Sequence, residues 1–178
     1  MNGTKNILLA GFGGQGILFA GKVIAYAGLM DNKEISWLPS YGPEMRGGTA
    51  NCSVCISDQA IGSPLVLNPD IFIAMNLPSF DKFISEVQPG GVVLLDSSLI
   101  SKKVERTDVT AYYVPATKLA EEAHLQGLAN MILLGKLYRE TGFCSPEALE
   151  KSILKCVPPK KANLIDANKE AIRIGGEQ

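Results

Sequence analysis

The sequence is short of net charge, of histidine and of clustered cysteine, and each shortage removes a class of function. Seventeen basic against eighteen acidic side chains leave a formal charge of −1. Neither sign forms a long run, so the electrostatic footprint of a nucleic-acid or membrane-surface binder is missing. Proteins or small molecules are the expected partners. No apolar run reaches the ~18 residues of a membrane span. The opening "MNGTKN" passes into a strand-like segment without the charged region, apolar core and cleavage site of an export signal. The expectation is a cytoplasmic protein. In that setting Cys52, Cys55, Cys144 and Cys156 are thiols. Cys52 and Cys55 have metal-pair spacing, but "TANCSVCIS" reads as a strand, where a separation of three places two side chains on opposite faces. The four do not supply the clustered ligands of an iron–sulfur centre. The one histidine, His124, lies in the charged helical stretch "AEEAHLQ" and reads as a surface residue. No Ser/His/Asp set and no carboxylate pair is evident, so the chain shows no catalytic constellation.

What is present is an alternation of apolar runs and helical stretches. "KNILLA", "EISWLPS" (stopping near Pro39), "TANCSVCIS", "PDIFIAMN", "GGVVLLDSS" and "VTAYYVPAT" read as strands. A first helix is expected over Ile17–Met30, with only Lys22 charged and with Ala20, Gly21, Ala25, Ala27 and Gly28 allowing a close neighbour. Ser79 is the expected cap of a short helix after the fourth strand. From Thr117 the composition turns helical. Ser145 with Pro146 signals a helix start, Gly142 and Gly175 suit helix ends, and Leu128–Tyr138 is apolar nearly all round and needs cover on both sides. At 178 residues the chain can bury about 70% of its unfolded surface. The expected fold is a single α/β domain over residues 1–178: three layers, a mainly parallel sheet with helices on both faces, and a helical C-terminal third.

Gly11, Gly13 and Gly16 make a G-x-G-x-x-G between the first strand and the first helix, the context of a dinucleotide-binding turn. That reading also needs an acid about twenty residues on, at the end of the second strand. Asp31 and Glu34 come too early, and Glu44 lies beyond Pro43 in the next loop. NAD or FAD binding is therefore set against a turn that merely packs strand on helix. The loop "SYGPEMRGGTANC" is the other unusual stretch, setting Tyr41, Glu44 and Arg46 among Gly42, Pro43, Gly47 and Gly48. In a doubly wound layout it leaves the carboxyl end of a strand beside the glycine turn, where sites are built. A solvated loop with Glu44 and Arg46 paired locally is the plain alternative.

"GFGGQGI", then "SYGPEMRGGTANCSV", "GSP" at Gly62–Pro64 and "NMILLG" at Asn130–Gly135 resemble the gamma subunit of the 2-oxoacid:ferredoxin oxidoreductases over nearly the whole chain. The "WLPSYGPEMRGGTANCSV" form is most similar to the 2-oxoglutarate members, with pyruvate and branched-chain members close. The resemblance implies oxidative decarboxylation of a 2-oxo acid to an acyl-coenzyme A with reduction of ferredoxin. It also implies where the chemistry sits. Thiamine diphosphate, Mg and the iron–sulfur clusters belong to alpha and beta subunits, or to a small delta subunit, and none is bound by this chain alone. Gly11, Gly13, Gly14, Gln15, Gly16, Tyr41, Gly42, Pro43, Glu44, Arg46, Gly47, Gly48, Thr49 and Asn130 are the implied cofactor-binding or interface residues. Two hypotheses follow. In one, the amides of Gly13–Gly16 and the Arg46 fork, oriented by Glu44, form the coenzyme A side of the site. In the other, both glycine loops only dock the alpha chain. A free-standing dinucleotide-binding oxidoreductase is the third reading. The isolated chain is expected to self-associate, with Trp37, Tyr41 and Met45 as candidates for an exposed patch and Trp37 alternatively in the core.

Overall fold

The computed structural model describes residues 3–41 and 49–178. Its strands are β1 (Lys5–Phe12), β2 (Glu34–Tyr41), β3 (Thr49–Ser57), β4 (Ile71–Ala74), β5 (Val92–Asp96) and β6 (Thr110–Val114). The helices are α1 (Ile17–Met30), α2 (Leu77–Phe83), α3 (Ala116–Glu122), α4 (Ala129–Thr141), α5 (Pro146–Cys156) and α6 (Leu164–Gly176). The sheet order is β2-β3-β1-β4-β5-β6. β1, β4, β5 and β6 pair in parallel, whereas β3 is antiparallel to both β1 and β2. The expected α/β architecture is present, with a mixed edge. A parallel pair needs a crossover of a dozen or more residues. Only residues 42–48 separate β2 from β3, so the two must form a hairpin and β3 must run backwards.

Alternation along each strand builds two cores. Ile7, Leu9, Cys52, Val54, Ile71, Ile73 and Leu94 face α1, α4 and α5 in the larger one. Leu8, Ala10, Phe72, Ala74, Val93 and Leu95 face Phe80, Val87 and Ile100 in the smaller. Three layers result. Cys52 and Cys55 fall on opposite faces: the Cys52 thiol donates to the Ile17 carbonyl at 3.7 Å, the Cys55 thiol to the Ser63 carbonyl at 3.9 Å.

The small residues of α1 are answered by the sheet. A side chain at Gly28 would press on Ile35 and Ile56, and one at Gly21 on Trp37 and Cys52. Residues 129–137 of α4 are all buried, as an all-round apolar helix requires. Ser145 caps α5 through the Ala148 N–H, and Gly142 ends α4 with φ 51°.

Three expectations need correction. Strand β2 does not stop at Pro39: it runs on to Tyr41, because it is the sheet's edge and a residue without an N–H costs nothing where no neighbour accepts one. The cap of α2 is Asn76, whose Oδ1 accepts from Ser79 N–H at 2.8 Å, so Ser79 is the receiver and not the cap. Gly175 does not end α6: it lies inside the helix, where a Cβ would strike the backbone carbonyl of Ile132 in α4.

Candidate functional site

The helix after β1 packs on one face of the sheet and the helix after β4 on the other. β1 and β4 are neighbours, so the chain leaves them in opposite directions and a crevice opens above their carboxyl ends. A cleft of about 280 Å³ lies there. It is lined by Gly14 and Gln15 after β1, Met75 after β4, Leu99 after β5, Thr117 and Glu121 on α3, and Gln126 and Gly127 before α4.

The turn Gly13–Gly16 forms one wall. Gly14 and Gly16 have φ of 97° and 74°, a region where an L side chain is strained. Gly11 is buried, and a Cβ there would meet the Gln15 carboxamide, Ile17 and Met75. At Gly16 it would meet the Asn130 carboxamide. Two glycines of the motif are thus required by the chain's own side chains. Asn130, 4% exposed on the first turn of α4, donates to the Gly16 carbonyl at 2.9 Å, and its Oδ1 has no partner among the described residues. Gln15 accepts from Phe12 N–H at 2.6 Å and donates to the Met75 carbonyl at 2.9 Å. The N–H groups of Gly13 and Gly14 have no acceptor among the described residues.

The opposite wall is set by Asp96, a residue not singled out in the sequence. Its fully buried carboxylate accepts from Ser98 N–H at 3.0 Å and from both the N–H and the hydroxyl of Thr117, which fixes the start of α3. Its signal was present: a buried apolar strand that ends "LLDSS" places an acceptor where the next helix must begin.

Gly42, Pro43, Glu44, Arg46, Gly47 and Gly48, and with them Met45 and the Glu44–Arg46 pairing, lie outside the described residues, as does the side chain of Tyr41. Their flanks are described: Thr49 pairs with Phe12 at the end of β1, and Tyr41 pairs with Ala50 one strand further out. Trp37 packs against the larger core. Phe12 and Leu38 are each more than a third exposed.

The sheet order argues against the dinucleotide reading. Its ribose acid belongs on the strand adjacent to β1, but here β3 stands between β1 and β2 and puts β2 roughly 9.5 Å of sheet width from β1. Asp31 is at the far end of α1, bonded to Ser145, and Glu34 opens β2.

No His/Cys/Asp/Glu cluster of three or more suits a metal among the described residues. The thiols are held protonated. Burial pushes Cys52 up to about 12, against the opposing Trp37 N–H, and burial with the Asp31 charge pushes Cys144 up to about 12. His124 is exposed just beyond α3. A larger cleft of about 400 Å³, around Lys5, Lys33, Asp31 and Asp58, lies at the opposite end of β1. Its polar groups are occupied: Asp31 holds Ser145, Lys33 pairs with Asp58, and Lys5 meets the Thr141 carbonyl at 3.4 Å. Burial lowers the Lys5 pKa.

The family described as pyruvate ferredoxin/flavodoxin oxidoreductase matches residues 6–178. The chain belongs to this family. It is 46% identical over 157 residues to the 2-oxoglutarate synthase subunit KorC of Methanocaldococcus jannaschii, covering 86% of this chain and 84% of that protein. It is 37% identical to the ketoisovalerate oxidoreductase subunit VorA of Methanothermobacter thermautotrophicus, covering 96% of this chain but 35% of that one. The structure of the gamma subunit of a keto/oxoacid ferredoxin oxidoreductase from Geobacter sulfurreducens superposes with a TM-score of 0.86 at 31% identity, over 98% of this chain and 95% of that one. The 2-oxoglutarate:ferredoxin oxidoreductase of Magnetococcus marinus shares the fold, with a TM-score of 0.89 at 24% identity. Like these relatives, the chain is an oxidoreductase subunit, and no helix among the described residues is long and apolar enough to cross a membrane.

Proposed function

We propose that this chain is the gamma subunit of a 2-oxoacid:ferredoxin oxidoreductase acting on 2-oxoglutarate, and that its crevice forms the coenzyme A side of a site completed by alpha and beta subunits. The likeness to the 2-oxoglutarate synthase subunit KorC, along most of both chains, carries the substrate reading. The overall chemistry is decarboxylation of the 2-oxo acid, transfer of the acyl group to the coenzyme A thiol and delivery of two electrons to ferredoxin. When bound in the partner chains, thiamine diphosphate with Mg would supply the decarboxylation chemistry and iron–sulfur clusters would carry the electrons.

The residues present fit the role of a binding wall. Among the described residues a Cβ on Gly14 would meet nothing within 4 Å and its N–H has no acceptor, which leaves it available to a phosphate. The described lining contains Glu121 but no Lys or Arg; in this reading Arg46, which lies outside the described residues, is the residue assigned the positive charge. Within this reading the amides of Gly13, Gly14 and Gly16 face the ligand; the expected Gln15 amide does not, because its N–H is taken by the Phe12 carbonyl at 3.3 Å, and Tyr41, Gly42, Pro43, Gly47, Gly48 and Thr49 belong to the adjoining loop.

In the reconstituted complex, Arg46→Lys should raise the KM for coenzyme A about tenfold. That corresponds to one charge-assisted contact of about 1.4 kcal/mol, because Lys keeps the charge but loses the planar fork. The KM for the 2-oxo acid should hold. An effect on the 2-oxo acid alone would move Arg46 to the thiamine side.

Gly11 and Gly16 favour a second reading. Both make room for side chains of this chain, as in a turn built for packing, and the crevice would then only dock the alpha subunit. No change in either KM on Arg46→Lys selects it. Titration of the isolated chain with coenzyme A and NADH separates both from the dinucleotide-binding alternative, which predicts NADH binding alone.

A further inference from the structure

The two strands that bound the crevice part company after Ala10 and Ala74. Their parallel ladder runs from the Ile7–Ile71 pair to the Ala10–Ala74 pair, and its last backbone rung is Met75 N–H to the Ala10 carbonyl at 2.9 Å. Beyond it Phe12 pairs away with β3 and the chain after Met75 turns into α2. The Gln15 carboxamide lies in that fork. Its Oε1 takes the Phe12 N–H from one strand and its Nε2 gives to the Met75 carbonyl of the other, the donor and acceptor pattern of a peptide group. Gly11 is bare because this carboxamide lies against it. Gln15 is also half-buried and lines the cleft, so the group that ties the strands together is itself part of the binding wall.

We infer that Gln15 is a positioning residue: its carboxamide completes the β1–β4 ladder by one side-chain rung and thereby holds the Gly13–Gly14 amides at a fixed place on the crevice wall. A glutamine is needed because both a donor and an acceptor are used, at the end of an arm long enough to fold back over three residues. Glu would keep the acceptor and set a carboxylate against the Met75 carbonyl. Met would keep the length and lose both bonds. The inference rests on the reading that this wall faces coenzyme A, but the rung can be tested without it.

In the isolated chain, Gln15→Met should speed hydrogen exchange of the Phe12 amide at least tenfold, leaving Leu8 and Ile73 in the strand interiors unchanged. Unaltered Phe12 exchange overturns the rung, whatever the complex does. In the complex with its partner subunits, Gln15→Met and Gln15→Glu should each raise the KM for coenzyme A about threefold to tenfold. The KM for the 2-oxo acid, kcat and co-purification of the subunits should stay within twofold. Faster Phe12 exchange with both KM values unchanged overturns the positioning role and leaves a structural rung. Failure of the wild-type chain to co-purify with thiamine-bearing subunits removes the functional reading and the positioning role with it, while the exchange result still stands.

Discussion

Glycine serves two different ends in this molecule, and the contrast between the α4–α6 crossing and the turn after β1 shows how to tell them apart. At the crossing, a Cβ on Gly135 would strike the backbone carbonyl of Ile172, and one on Gly175 that of Ile132. Both residues are helical with ordinary dihedrals, and what they lack is space. At the turn, a Cβ on Gly14 would meet nothing within 4 Å among the described residues, and what Gly14 needs is its positive φ. Gly16 needs both, a φ of 74° and room for Asn130. Backbone cannot yield to a methyl group, a side-chain amide can partly yield, and solvent yields completely. The cost of adding one carbon should therefore fall in that order.

Gly175→Ala should do most damage, since two helix backbones would have to separate. A loss of about 3 kcal/mol or more, seen as a fall in Tm of roughly 10 °C, is expected for the isolated chain. A loss below about 1 kcal/mol would show that the crossing relaxes freely and would erase the contrast. Gly16→Ala should cost about 2–3 kcal/mol, part from the left-handed backbone and part from the displaced Asn130 bond. The Gly16→Ala, Asn130→Ala pair should then lose less than the sum of the singles in a denaturant double-mutant cycle. Strict additivity would mean that Asn130 is not the neighbour that matters.

Cys52 extends the comparison to a thiol, because it packs against Gly21 on α1. Its folded pKa of about 12 lies above the ordinary thiol value of about 8.5. Below about pH 8.5 both folded and unfolded chains keep the proton and the thiol adds no slope. Between about 8.5 and 12 the unfolded chain releases a proton that the folded chain retains. Stability should fall there by about 1.4 kcal/mol per pH unit more than in Cys52→Ala. Equal alkaline slopes in the two proteins, from urea titrations at pH 9, 10 and 11, would show that the thiol is not sealed in. The smallest effect belongs to Gly14→Ala, about 1 kcal/mol from dihedral strain alone. A much larger loss would mean that the turn is packed and not open.

The elements were largely legible in advance. Helix α1 runs over Ile17–Met30 and β3 over Thr49–Ser57, as composition and capping residues indicate. The strand-face argument for Cys52 and Cys55 also matches the register. These are local facts, carried by period and by Gly, Pro and Ser chemistry. The reversal of β3 was legible too, in the seven residues between β2 and β3, although the apolar runs around it suggest parallel strands. Pro39 misleads because its tolerance depends on β2 being an edge, and Ser79 because Asn76, a better acceptor three residues earlier, takes the cap.

The candidate site was legible as a motif and not as an arrangement. Residue types and spacing alone determined that there is a strand, a glycine turn and a helix, and that the family resemblance runs nearly end to end. Gln15 bridging two strands, Asn130 reaching across 114 residues to Gly16 and Asp96 holding Thr117 were decided only by the tertiary structure. The physical reason is that a hydrogen bond between distant residues leaves no period in the sequence. A glycine likewise carries no mark of whether it was chosen for its dihedral angle or for the atoms that crowd it.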